Sequence, residues 1–255
     1  MALIELKNLC KRFGKLVVLN DLNLSINEGE CLVIIGASGS GKSVMLKHIV
    51  GLMQPDSGEV WYANKRIDTM KIFDLMDIRS DFGFLFQMGA LFDSLTVGEN
   101  IAFPIIEHTR KSGAEVDEIV AEKLALIGLP GIEKKMPGEL SGGQRKRVAL
   151  ARAIAMGPKV MLYDEPTTGL DPIRSDVINE LILKLQKGLR VTSIVVTHDM
   201  NSVLKVADRI VMLHEGKIIF DGSPDELRSS VDPLVRRFVA GEASEQDLKA
   251  IRGTI

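Results

Sequence analysis

Residues 36–43 read Gly-Ala-Ser-Gly-Ser-Gly-Lys-Ser and fit the pattern G-x-x-x-x-G-K-[ST], which is typical of a phosphate-binding P-loop. The apolar run at 31–35 predicts a buried strand before this loop, and 43–50 predict a helix after it. The glycines allow the backbone to turn tightly and to bring its N–H groups close to an anion. Because the loop precedes a helix, free N–H groups and the helix dipole favour phosphate there. The stretch therefore predicts a nucleoside triphosphate site.

Two side chains of this loop have expected roles of their own. We expect Lys42 to reach the β- and γ-phosphates and the hydroxyl of Ser43 to ligate Mg²⁺. The alternative is a Gly/Ser-rich turn that happens to precede a lysine, but strand, loop and helix patterns are all in place. The loop residues assigned to the nucleotide are Gly36, Ala37, Ser38, Gly39, Ser40, Gly41, Lys42 and Ser43.

The composition of the 255-residue chain is that of an ordinary soluble protein, long enough for one large domain or two small ones. Lys and Arg number 32 against 34 for Asp and Glu, a formal net charge of -2, which gives no electrostatic footprint for nucleic-acid binding. Cys10 and Cys31 have apolar neighbours and no metal-ligand spacing, so we expect reduced thiols of a cytosolic protein. We expect neither a signal peptide nor a membrane span, so work at a membrane would need a partner.

Residues 160–165, Val-Met-Leu-Tyr-Asp-Glu, form the next informative stretch. Four apolar residues predict a buried strand, and two acids stand at its carboxyl end. In open α/β sheets, ligands bind outside the carboxyl ends of the strands. We therefore expect Asp164 to hold Mg²⁺, directly or through water, and Glu165 to orient or deprotonate the attacking water.

Three further residues are candidates on position alone. Phe13 precedes the P-loop strand and can stack on an adenine ring, although its position alone favours an ordinary strand aromatic. Gln87 ends the apolar strand pattern at 82–86, where it reaches either a metal or its water, or makes a strand-terminal hydrogen bond. His198 follows the apolar run at 191–196 and can touch the γ-phosphate.

Residues 140–144, Leu-Ser-Gly-Gly-Gln, precede a strong helix pattern at 145–155. Ser141 is placed as an N-cap, and the glycines leave helix N–H groups open to a second anion. Because one P-loop already binds one triphosphate, this site would face the nucleotide of another copy of the chain. A plain capped helix is the alternative. The residues assigned to this site are Ser141, Gly142, Gly143 and Gln144.

Between these stretches the pattern changes from loop to helix. Residues 88–97 are poor in charge and keep no period, which predicts a loop that is buried or contacts another chain, with Leu91 and Phe92 as anchors. A helical pattern follows at 99–129, with Ser112 as an N-cap. Other predicted elements are strands at 4–9, 17–26 and 59–67, a helix from 172 to about 187, a hairpin turn at 214–216 and a capped helix after 223.

Together these stretches resemble the ATP-binding-cassette (ABC) ATPase family over nearly the whole chain. Residues 36–43 correspond to its Walker A motif, 160–165 to its Walker B motif and 140–144 to its signature sequence. The resemblance implies that Phe13 stacks on adenine and that the loop of Asp171 binds ATP. It also implies catalytic roles for Gln87 and His198 beside Glu165, with Ser43, Gln87 and Asp164 as the Mg²⁺ ligands.

The resemblance also implies an architecture. We expect an α/β P-loop NTPase of the RecA-like type, with an N-terminal antiparallel β-subdomain and an inserted α-helical subdomain. The ATPase domain would span 1–238, with its core at 1–87 and 157–224, its helical subdomain at 88–156 and a C-terminal helix at 225–238, followed by a tail at 239–255. Two ATP molecules would lie between two copies of the chain.

A narrower resemblance is to the ATPases of Mla/MCE phospholipid-transport systems. It rests on Phe86-Gln-Met-Gly-Ala-Leu-Phe92, on residues 96–104 and 107–109, and on Asp232-Pro-Leu-Val-Arg-Arg-Phe238. Gln144 departs from that group, which often has Met there. The resemblance implies phospholipid transport between inner and outer membranes. It also implies a permease contacted by 88–97, an MCE-type substrate-binding protein, and a location on the cytoplasmic face of the inner membrane.

The sequence is also compatible with two functions other than phospholipid transport. One is an ABC importer ATPase for another small substrate, such as an amino acid. The other is a soluble ABC ATPase acting in DNA repair or on the ribosome, a class that tends to carry two cassettes, long coiled-coil insertions or zinc cysteines. This chain has one cassette and two cysteines, which favours transport.

Overall fold

The computed structural model describes residues 2–242, which form two β-sheets surrounded by helices. The strands are β1 (Ala2–Phe13), β2 (Leu16–Asn27), β3 (Cys31–Ile35), β4 (Ser57–Tyr62), β5 (Lys65–Arg66), β6 (Phe82–Leu85), β7 (Val160–Asp164), β8 (Thr192–Val196), β9 (Arg209–His214) and β10 (Lys217–Gly222). The helices are α1 (Lys42–Ile49), α2 (Ile72–Ser80), α3 (Val97–His108), α4 (Gly113–Leu126), α5 (Gly142–Ala153), α6 (Pro172–Leu189), α7 (Met200–Val206), α8 (Pro224–Ser229) and α9 (Pro233–Ala240).

The smaller sheet is antiparallel and has the strand order β2-β1-β4-β5. The larger sheet has the order β10-β9-β3-β8-β7-β6, in which every neighbouring pair is parallel except β9 and β10. This mixed α/β architecture, with an N-terminal antiparallel sheet and a helical segment between β6 and β7, confirms the predicted fold class.

Strand β3 separates two apolar cores, which explains why its sequence is continuously apolar. Val33 and Ile35 face a core built with helices α3 to α7. Leu32 and Ile34 face the opposite core, built with the smaller sheet and α1. All five residues of β3 are fully buried, because both faces of the sheet are covered.

The parallel register places the carboxyl ends of four strands along one edge of the larger sheet. Ile34 in β3 pairs with Val196 in β8, and Val196 pairs with Asp164 in β7. Leu85 in β6 pairs in turn with Tyr163. The backbone pairing of these strands therefore brings the segments that follow them together at this edge.

The segment between β6 and β7 contains α3, α4, a short 3₁₀ turn at Pro137–Glu139 and α5. The helical pattern predicted at 99–129 is broken at 109–112 into two helices. Ser112 caps the second of them through a capping box with Glu115, as predicted. Thr96 caps the first in the same way with Glu99, which the sequence analysis did not identify.

The loop before α3 is ordered by one buried side chain rather than by a backbone ladder. The amide oxygen of Asn100 accepts a hydrogen bond from Phe92 N at 2.8 Å, and its nitrogen donates to the carbonyls of Phe92 and Leu95 at 3.1 and 3.0 Å. Asn100 is fully buried. Hydrogen bonds from a single side chain order the loop without any periodic pattern of apolar residues, so its order cannot be recognised from the sequence.

The prediction of one C-terminal helix at 225–238 is wrong. The chain forms two helices, α8 and α9, separated at 230–232. Pro233 disfavours helical geometry at the residue before it, and Asp232 instead caps α9 by accepting from Leu234 N at 2.8 Å. Helix α9 ends at Ala240, so the predicted start of the tail at 239 lies within it; residues 243–255 of that tail lie outside the described residues.

Within residues 2–242, no helix combines the length and the apolar character that crossing a membrane requires.

Candidate functional site

The P-loop leads into α1 through a glycine rather than a capping side chain. Gly41 is the N-cap residue, with a φ of 105°, and no side chain accepts from the first turn of the helix. The first turn also contains no acidic residue. Its backbone N–H groups and the positive end of the helix dipole are therefore available to an anion.

Two glycines of this loop cannot carry a side chain. A Cβ at Gly36, where φ is 147°, would lie 2.2 Å from Leu213 O. A Cβ at Gly41 would lie 2.8 Å from Val18 O. The buried hydroxyl of Ser40 has no hydrogen-bond partner within residues 2–242. A bare backbone with an unpaired hydroxyl and uncapped helix N–H groups fits the oxygens of a phosphate chain.

The loop opens onto a cleft of about 760 Å³ at the carboxyl edge of the larger sheet. The predicted residues Phe13, Gln87, Asp164, Glu165 and His198 line this cleft together with the P-loop. The structure thus brings together side chains from six separate parts of the chain. Its complete lining is Phe13, Val18, Gly36, Ala37, Ser38, Gly39, Gly41, Lys42, Ser43, Val44, Gln87, Asp164, Glu165, Val196, His198 and Phe238.

The ammonium group of Lys42 lies inside the curve of the loop. Its Nζ donates hydrogen bonds to Gly36 O at 2.7 Å and Ala37 O at 2.9 Å. Burial lowers the pKa of Lys42, and the carboxylates of Glu165 and Asp164 act in the opposite direction. A buried cation with only carbonyl partners is well placed to interact with the charge of a phosphate group.

Oxygen-bearing side chains meet beside the loop. Ser43 Oγ lies 3.5 Å from Asp164 Oδ1, and the amide of Gln87 lines the same cleft. Burial raises the pKa of Asp164, and the charge of Glu165 raises it further. Within residues 2–242 there is no group of three or more His, Cys, Asp or Glu side chains that could hold a metal. The oxygens present instead fit Mg²⁺, which commonly uses one or two carboxylates together with phosphate oxygens and water.

Glu165 is held at the end of β7 in a left-handed backbone conformation, with a φ of 50°. Its N–H donates to Val196 O at 2.8 Å. Its carboxylate accepts from Thr168 Oγ1 at 3.0 Å, and His198 Nδ1 lies 3.0 and 2.9 Å from the two carboxylate oxygens. These contacts hold the two carboxylate oxygens of Glu165 at the cleft, where they can accept a hydrogen bond from a water molecule and polarise it.

Sequence reasoning missed two residues around Glu165. Thr168 lies between Glu165 and Asp171, where the sequence pattern gives its hydroxyl no particular role. Lys146 is buried in α5, and its Nζ donates to Glu165 O at 3.2 Å and Pro166 O at 2.8 Å. Burial lowers the pKa of Lys146 to about 8. A lysine beside Arg145 in a helix has the pattern of a solvent-exposed face, so no sequence signal identifies it.

The structure does not bring 140–144 to this cleft. Ser141 forms a capping box at the start of α5, with Ser141 N donating to Gln144 Oε1 at 2.9 Å and Gln144 N to Ser141 Oγ at 3.3 Å. Asp171 also lies outside the cleft lining and caps α6 by accepting from Arg174 N at 2.9 Å. Neither segment therefore lines the P-loop cleft of its own chain.

The ABC transporter family model matches residues 19–168, which include the P-loop, the 140–144 stretch, Asp164 and Glu165. This chain belongs to the ABC transporter ATPase family. It is therefore the ATP-binding subunit of an ABC transporter, and it hydrolyses ATP.

Similar proteins come from several transport systems. A probable ribonucleotide transport ATP-binding protein, mkl of Mycobacterium leprae, is 43% identical over 238 residues, which cover 93% of this chain and 69% of that protein. The intermembrane phospholipid transport system ATP-binding protein MlaF of Haemophilus influenzae is 42% identical over 241 residues, covering 94% of this chain and 91% of that protein. A solved dimer of the cassette MJ0796, in a post-hydrolysis state with ADP and Pi, has a TM-score of 0.80 at 38% identity and covers 86% of this chain and 98% of that chain.

The close approach at Gly36 leads to a testable prediction about ATP binding. Gly36→Ala should weaken ATP binding by roughly 5- to 100-fold, because relieving the clash with Leu213 O displaces the phosphate-binding backbone and overpacking of this kind costs about 1–3 kcal/mol. Gly39→Ala is the matched control, because Gly39 also has a positive φ of 78° but no atom lies within 4 Å of its added Cβ. Titration with a fluorescent ATP analogue measures both variants. Equal affinities for the two variants would contradict the steric argument.

Proposed function

We propose that this ATPase powers the movement of phospholipid between membranes. The observation that carries the proposal is the 42% identity to the phospholipid-transport protein MlaF along 91% of its length. The similar mkl protein is named for ribonucleotide transport, which makes ribonucleotides the second candidate cargo. The chain would work at the cytoplasmic face of the inner membrane, attached to a permease and accompanied by an MCE-type substrate-binding protein.

Each part of the cleft has a role in the proposed binding mode. The backbone of the P-loop and Lys42 hold the phosphates, and Phe13 stacks on the adenine ring. The ring of Phe13 is 48% exposed and lines the cleft, so a face is available for stacking. Mg²⁺ held by Ser43, Gln87 and Asp164 would neutralise charge on the phosphate oxygens.

Glu165 orients the attacking water and accepts its proton in the proposed mechanism. Thr168 and His198 hold the carboxylate through the contacts at 2.9–3.0 Å. His198 would turn from this carboxylate toward the γ-phosphate when ATP is bound. Thr168 would still hold the carboxylate after His198 turns away, so the reorganisation needed at Glu165 would be small.

Removal of the charge on Glu165 tests this mechanism. Glu165→Gln should reduce kcat by roughly 10²–10⁴-fold, because a general base is lost while the P-loop is intact. ATP should still bind, and the variant should accumulate with ATP bound. Glu215→Gln is the matched control, since Glu215 also has a positive φ but lies exposed in the β9–β10 turn. Steady-state hydrolysis and ATP binding are measured together, and full turnover by Glu165→Gln would remove Glu165 from the mechanism.

A second copy of the chain completes the proposed site. Ser141, Gly142, Gly143, Gln144 and Asp171 would contact the ATP bound by the P-loop of the other copy. Two observations support this: these residues lie outside the cleft of their own chain, and the similar cassette MJ0796 has been solved as a dimer. Gly142 and Gly143 begin α5, so their N–H groups are at the positive end of its dipole.

A mixed dimer distinguishes contacts between chains from contacts within one chain. One chain carries Ser141→Arg and the other carries Lys42→Ala. If the sites are shared, both defects fall on one site, and the dimer should bind one ATP with normal affinity. The control dimer pairs a wild-type chain with a chain that carries both changes. If the sites are shared, this control dimer should have no intact site. The opposite pattern, measured as ATP bound per dimer, would refute the shared arrangement.

The proposed permease site is an apolar groove of about 880 Å³ beside the 88–97 loop. Phe92 and Phe103 line the groove with their ring centroids 4.9 Å apart, and both are more than two-fifths exposed. Leu91, the other predicted anchor, is partly buried and packs against the protein core, so less of its side chain is available to a partner. An exposed aromatic pair in a groove suits a helix inserted from another protein.

Truncation of an anchor should uncouple hydrolysis from transport. Phe92→Ala should weaken attachment to the permease by roughly 2 kcal/mol or more, as central aromatic anchors do, without lowering the melting temperature of the isolated subunit by more than a few degrees. Phe73→Ala is the control, since Phe73 is exposed on α2 but does not line the groove. The complex is reconstituted in vesicles with its co-purified permease, and lipid transfer is followed. ATP-driven uptake of a ribonucleotide or amino acid without lipid movement would refute the phospholipid proposal.

A further inference from the structure

Lys146 connects the start of α5 to the turn that carries Glu165. It is 7% exposed, and both of its described hydrogen bonds go to backbone carbonyls of that turn, those of Glu165 and Pro166. A buried ammonium group is costly unless it has strong partners. Burying Lys146 therefore has a cost that packing alone does not explain.

The turn that Lys146 holds is strained. The φ of Glu165 is 50°, in the left-handed region. This conformation has a higher free energy for a residue with a side chain than for glycine. The N–H of Glu165 is fixed by Val196 O, but its carbonyl and that of Pro166 follow the strand end and have no ladder partner there. Lys146 donates to both carbonyls, and the carbonyl of Glu165 also accepts from Thr168 N at 3.3 Å.

We propose that Lys146 is a positioning residue for ATP hydrolysis, which holds the Glu165–Pro166 turn so that the carboxylate of Glu165 points into the cleft. The proposal rests on the role of Glu165 in the proposed function. Lys146 itself does not line the cleft, so it acts through the backbone of Glu165 and not on ATP.

The same side chain relates Glu165 to the start of α5. Gly143 lies three residues before Lys146, and both are buried, so they share one face of the helix. Residues 141–144 are proposed to contact the ATP of the second copy. A displacement of α5 in that contact would therefore reach the turn of Glu165 through Lys146.

The experiment removes the side-chain hydrogen-bond donors of two neighbouring residues of α5, Lys146 and Arg147, one at a time. Lys146→Met keeps an unbranched stem and removes the donor, and kcat should fall roughly 10- to 100-fold, since small misplacements of a reacting group have effects of this size. The KM for ATP and the affinity for a fluorescent ATP analogue should change less than about twofold, because the P-loop is untouched. Lys146→Arg, which retains a charged donor, should recover most of kcat.

Arg147→Met is the matched control. Arg147 Nη1 donates to a backbone carbonyl of Ile127 at 3.2 Å, far from Glu165 in the chain. This variant also loses one hydrogen bond from α5 to a carbonyl, so a general effect on helix packing would lower kcat in both variants alike. A melting curve for each variant shows whether it is folded. If Lys146→Met does not fold, Lys146→Gln is used in its place.

The outcomes separate this inference from the proposed function. A fall in kcat for Lys146→Met, with unchanged ATP affinity, near-normal Arg147→Met and recovery by Lys146→Arg, supports it. An inactive Glu165→Gln together with wild-type kcat in Lys146→Met overturns the role of Lys146 alone. Full activity of Glu165→Gln overturns the role of Glu165 and this inference with it. Equal losses in Lys146→Met and Arg147→Met also overturn it.

Discussion

The parallel register of β3, β8 and β7 is the constraint on which the site depends. Val196 is paired on one side with Ile34 and on the other with Asp164, so the three strands end at the same level. The P-loop follows the end of β3, Asp164 is the last residue of β7 and Glu165 follows it directly. A shift of one residue in this register would move buried side chains to the opposite core and separate the phosphate loop from the carboxylates.

Beyond the strand ends, the site is shaped by a turn that is unfavourable in isolation. A residue such as Glu165 in a left-handed conformation costs about 1–3 kcal/mol. Hydrogen bonds from its own N–H to Val196, from Lys146 to two carbonyls and from Thr168 to the carboxylate offset this cost, since each contributes about 0.5–1.5 kcal/mol. The strained conformation is thus maintained by contacts from β8 and α5 and by Thr168 of the same turn.

The electrostatics of the cleft match a nucleotide bound together with a cation. Asp164 and Glu165 are adjacent, and burial together with their mutual repulsion raises the pKa of Asp164. The opposing charges are those of Lys42 and Lys47, and burial lowers the pKa of Lys42. A cation beside Asp164 would relieve the repulsion between the carboxylates, and a phosphate chain would satisfy Lys42, so the two ligands would favour one another's binding.

The sequence by itself determined the local features of this protein. The strand, loop and helix around residues 36–43, the acids ending β7 and the cap at Ser141 depend on neighbouring residues, so patterns and turn chemistry reveal them. The tertiary structure alone decided which distant segments meet: Lys146 reaches the Glu165 turn, Asn100 orders a loop without a period, and Leu91 packs inward. These contacts depend on how helices and strands dock, and a single lysine, asparagine or leucine has the same local pattern whether it faces the core, a turn or the solvent.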